Sequence, residues 1–100
     1  MSNNALTWDI DQAREDGEAF GRHAGRHAAA AMTQANLTAA ETKALGADAV
    51  GTVLVRADAL ADMGLSRELV EAWTEAAAEA FNRELDQAAR LLSAASGTRH

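Results

Sequence analysis

Gly17, Gly21 and Gly25, followed by Ala29, recur every four residues in a chain that contains no proline. This spacing constrains the fold more than any other feature. Residues four apart lie above one another on a helix, so the three glycines make a strip of bare backbone along one side. Each glycine costs ~0.8–1.0 kcal/mol relative to alanine in a helix interior, and only a closely packed neighbour offsets that loss. Charged Arg14, Glu18, Arg22 and Arg26 stand among them, which excludes the membrane-embedded helix pairs that use the same spacing. The remaining neighbours are another helix of the same chain or a second copy across a dimer seam bordered by Phe20. Packing within the chain is the expectation, since that is the ordinary fate of a helix face.

Punctuation along the sequence delimits the helices. Asp9 and Gln12 form a variant capping box, which predicts a first helix from Asp9 to about Met32 that ends in the polar stretch 33–36. Within it Ile10, Ala13, Gly17, Phe20, Ala24, His27 and Ala31 alternate at spacings of three and four and predict the buried seam. Thr38 and Glu41 form a second box, and Gly46 is placed to close a short helix after it. Asp48 then caps a third helix that ends at Gly64, with Val50, Val53, Leu54, Ala57, Leu60 and Ala61 on one face. The stretch 50–55 is rich in β-branched residues, but a lone strand would have no partner here, so helix is predicted. Ser66 caps the last helix, with Leu65 and Val70 in staple positions. Its apolar face runs through Trp73, Ala77, Phe81, Ala88, Leu92 and Ala95 toward Gly97. That length, ~1.5 Å per residue, exceeds what a compact domain of this size requires, so one end is expected to project or to meet a partner.

These elements predict an all-α protein: a small bundle of three to four helices with a long C-terminal helix, one domain over residues 1–100, and flexible ends at 1–8 and 97–100. Of its 48% apolar residues, 26 are alanine, so few bulky side chains remain to fill a core and helices must pack closely. No cysteine is present, which removes disulfides and thiolate metal sites. The first residues lack a basic segment and an apolar run, so the chain reads as cytoplasmic with no membrane segment. A net charge of −6 argues against direct contact with nucleic acid.

Four constellations invite chemistry. His23 and His27 stand one turn apart in the repeat Gly-Arg-His-Ala and are candidate metal ligands, with Asp16 or a distant glutamate as third ligand; the alternative places His27 in the seam and His23 at its polar border. Arg22 and Arg26 can clamp a carboxylate or phosphate, or pair with Glu18. Glu68, Glu71, Glu75 and Glu79, continued by Asp86, make an acidic ridge opposite the apolar face of the last helix. It is either a solvated face or a docking surface for a basic partner. Glu84 falls within the apolar face and must snorkel or meet an arginine. Residues 38–64 have the outline of a helix-turn-helix, but Arg56 is accompanied by Asp48, Asp58 and Asp62, which would repel phosphate. No catalytic or phosphate-binding pattern occurs, and no cofactor is implied.

In length and helical content the chain resembles the small secreted helical hairpins named for a Trp-X-Gly turn. It departs from them at the motif, since neither Trp8 nor Trp73 precedes a glycine by two residues. It is similar in profile to small acidic helical proteins of phages and mobile elements, including inhibitors of bacterial defence systems. The expected function is therefore a non-enzymatic protein–protein interaction module that binds stoichiometrically, with anti-CRISPR-like inhibition as one version. Its expected partner is a basic or nucleic-acid-binding protein, with a homodimer as a further option. The alternatives are a metal- or anion-binding module at Arg22, His23, Arg26 and His27, and a helix-turn-helix regulator.

Overall fold

The computed structural model describes residues 7–35 and 38–97, with side chains over 7–33 and 38–91. It is an all-α three-helix bundle without strands among those residues: α1 (Ile10–Ala35), α2 (Ala39–Asp62) and α3 (Arg67–Gly97). Of the expected flexible ends at 1–8 and 97–100, residues 1–6 and 98–100 lie outside the described residues, as do the side chains of Leu92 and Ala95, while Gly97 is the last residue of α3.

Each helix begins where its capping residues dictate. The Asp9 carboxylate accepts from the Gln12 backbone N–H at 2.8 Å while the Gln12 side chain accepts from the Asp9 N–H at 3.0 Å. Thr38 and Glu41 make the same reciprocal exchange at the start of α2, and Ser66 Oγ accepts from Leu69 N–H at 3.3 Å at the start of α3. Each exchange satisfies amide donors that the first turn leaves without helical partners. The Glu41 carboxyl is held below the usual carboxylate range, chiefly by the bond from the Thr38 backbone and then by the Thr38 side chain.

α2 ends in a Schellman motif. Leu65 N–H donates to the Leu60 carbonyl and Gly64 N–H to that of Ala61, both at 3.1 Å. Gly64 adopts the left-handed φ of 106° that this motif requires. Leu60 and Leu65, at the two ends of the longer bond, are both buried, so the turn also seals the core.

Two expected boundaries are corrected. α1 continues to Ala35, beyond Met32, with Thr33 Oγ1 donating back to the Ala30 carbonyl. A hydroxyl bonded to the preceding turn is compatible with a continuing helix. The short helix ending at Gly46 and the helix beginning at Asp48 are one element. A single interior glycine costs only ~1 kcal/mol against the surrounding good helix formers, and Gly46 has no positive φ to turn the chain.

α1 and α3 run parallel and form the principal contact. Gly17 lies against Trp73, Gly21 against Ala77, and Gly25 against Phe81 and Glu84. A Cβ added at Gly21 would stand 2.7 Å from the Ala77 carbonyl carbon and nearer still to its oxygen, so the two backbones touch. The buried line on α1 is therefore Ala13, Gly17, Gly21, Gly25 and Ala28. The predicted seam shared only its first part. Beyond Gly17 the backbone contact with α3 runs through Gly21 and Gly25, the strip of least bulk, while the arm through Phe20, Ala24 and His27 borders α2, with the Phe20 ring also against Trp73.

α2 returns between the other two helices and contributes Val53, Ala57 and Leu60 to a core with Ala13, Leu65, Trp73 and Ala77. Val50 and Leu54, expected on its buried face, are 52% and 53% exposed, and Val55 is 70% exposed. Trp73, fully buried, is the largest core side chain; an aromatic of its class buries ~150–250 Å², or ~4–6 kcal/mol at ~25 cal/mol/Å². Its ring lies 5.3 Å from that of Phe20, tilted by 49°. Trp8, read from the sequence as part of a flexible end, packs against this core. The radius of gyration of 16.3 Å, with extents of 64 × 23 × 18 Å, exceeds the ~13 Å expected of a compact chain this long.

Candidate functional site

The polar groups singled out in the sequence fall on three sides of the bundle. His23 and His27 are exposed on α1 and border an open groove of about 530 Å³ between α1 and the first half of α2, floored by Phe20, Leu45 and Ala49 with Asp48 opposite. His27 is thus not in the α1–α3 seam. Asp16, one candidate third ligand, accepts a hydrogen bond from Trp73 Nε1 at 2.8 Å. Among the described residues no group of three or more His, Asp or Glu side chains gathers as a metal site.

Arg22 and Arg26 do not converge on a free position. Arg22 pairs with Glu18 at 3.4 Å, which also receives Arg83 at 3.7 Å. Arg26 reaches Glu84 at 3.6 Å across the seam. Glu84, whose side chain is only 19% exposed, thereby obtains the cation that its place within an apolar face demands. These contacts clip the edges of the α1–α3 packing, and they account for Glu84 without a second molecule.

The acidic ridge stands on α3 directly opposite the side that holds Trp73, Ala77 and Ala80. Glu68, Glu71, Glu75, Glu79 and Asp86 are all exposed. Arg67 pairs with Glu71 at 3.2 Å and Arg90 with Asp86 at 2.9 Å. Glu68, Glu75 and Glu79 have no ion-pair partner among the described residues, although Arg14 of α1 borders the same shallow depression as Glu75 and Glu79.

The helix-turn-helix outline is corrected by the continuity of α2, which leaves no turn between residues 38 and 62. Two surfaces escaped the sequence reading: the α1–α2 groove, and the outward side of α2 with its bare Val50, Leu54 and Val55. Their apolar residues were visible, but the signal that a helix face lacks a neighbour exists only in three dimensions. Among the described residues no helix is long and apolar enough to cross a membrane. Compared with known proteins, the chain matches no family model, no curated protein and no solved structure.

Proposed function

We propose that this protein is a non-enzymatic interaction module that acts by stoichiometric binding, and that the acidic ridge of α3 meets a basic surface of its protein partner. The observation that carries this reading is the exposed row Glu68, Glu71, Glu75 and Glu79 on the side of α3 that faces away from the bundle, in which Glu68, Glu75 and Glu79 have no ion-pair partner among the described residues. Like charges one helical turn apart, as at Glu71, Glu75 and Glu79, weaken a helix by a few tenths of a kcal/mol, so this run does not serve the fold. A coherent acidic face on a molecule of charge −6 steers basic partners and rejects acidic ones. The basic surface of a nucleic-acid-binding protein fits, and inhibition of a bacterial defence protein is one specific form of the reading.

The test is capture of binding partners from the native cell by the wild-type chain and by a Glu71→Lys, Glu75→Lys, Glu79→Lys variant. The variant should fold, with an unchanged helical circular dichroism spectrum, and lose a partner that the wild type retains at low salt and releases at high salt. A partner held equally by both would remove the ridge from the account.

A further inference from the structure

We propose that the outward face of α2 binds a second copy of this chain, helix against antiparallel helix, about a two-fold axis at Gly51. Ala40, Ala44, Ala47, Gly51 and Val55 follow one another at helical spacing along the side away from Val53, Ala57 and Leu60, with Leu54 beside them. Val55 is 70% and Leu54 53% exposed, and a Cβ placed at Gly51 would meet nothing within 4 Å. The glycines of α1 are filled by α3, whereas this face has no neighbour among the described residues.

What identifies the occupant is self-complementarity. The face is small before Gly51, carries Leu54 and Val55 directly after it and ends in Asp58 and Asp62, so an antiparallel copy sets Val55 over Ala47 and Leu54 beside it, large against small, on both sides of the axis. Charge follows the same symmetry. Lys43 lies at one end of the face and Asp58 and Asp62 toward the other, and none has an ion-pair partner among the described residues. Reversal brings Lys43 of each copy within one residue of register with Asp58 of the other. A parallel copy would place like on like. The face is distinct from the ridge of α3, so this dimer stands or falls independently of the partner proposed above.

Sedimentation equilibrium of the full chain should show a dimer at concentrations up to about 1 mM, a range that reveals even weak association. Leu54→Glu and Val55→Glu should each give a monomer with unchanged helical circular dichroism. Lys43→Glu should weaken the dimer about tenfold, as expected for losing two symmetric rim pairs, and Lys43→Glu combined with Asp58→Lys should restore it. A monomeric wild type at ~1 mM, a dimer untouched by both apolar substitutions, or a charge swap that fails to restore association would overturn the proposal.

Discussion

Trp73 donates its indole N–H to the Asp16 carboxylate at 2.8 Å, joining two residues 57 positions apart in the chain. The bond fixes α3 against α1 one residue before Gly17, where the backbones first touch. It also satisfies the one polar atom of a wholly buried side chain, a requirement for placing tryptophan in a core. Trp73→Phe retains most of the apolar bulk and removes the donor, leaving the half-buried carboxylate short of a partner. Urea denaturation should show a loss of about 2–3 kcal/mol, typical of a hydrogen bond to a charged group. Asp16→Asn keeps an acceptor and should lose less.

The capping box of α2 makes that helix start pH-sensitive. The folded-state pKa of Glu41 is depressed because its carboxylate accepts from the Thr38 backbone N–H. A depressed carboxyl pKa contributes stability above its unfolded value, and that contribution disappears as pH falls through the folded value. Amide exchange at the first turn of α2 should therefore accelerate below the ordinary glutamate range. Glu41→Gln should remove this acid-side change while keeping a side-chain acceptor for Thr38.

Gly64 sits at φ 106° between the buried Leu60 and Leu65. Any side chain there strains the backbone by about 1–2 kcal/mol. Gly64→Ala should lower the thermal midpoint by roughly 4–16 °C, given ~4–8 °C per kcal/mol for a chain of this size.

Features encoded over a few residues were legible in the sequence, and those encoded by a neighbour were not. Asp9, Thr38 and Ser66 start helices because each side chain bonds amides only three residues away, and Gly64 stops one by its own conformational freedom. Gly46 looked the same as Gly64 in sequence, yet the residues around it propagate the helix. The ridge of α3 was legible as a stripe, and Glu84 as a residue that either reached outward or met an arginine; the packing of α1 on α3 selects the second and supplies Arg26. On α1 the strip through Gly21 and the arm through His27 share a helical period, and only the register with Ala77 and Phe81 separates them. On α2 the apolar residues Val50, Val53 and Leu54 were equivalent on the page until packing buried one and left two bare.

The close approach of Gly21 to the Ala77 carbonyl is the contact on which the whole α1–α3 arrangement depends. The most direct measurement is thermal unfolding of Gly21→Ala beside Gly46→Ala, the latter at a position where an added Cβ meets nothing within 4 Å. As isolated helix substitutions both would stabilise by ~0.8–1.0 kcal/mol. The account predicts opposite signs: Gly46→Ala raises the midpoint, whereas Gly21→Ala lowers stability by about 1–3 kcal/mol, as overpacking does. A Gly21→Ala protein as stable as Gly46→Ala would contradict it.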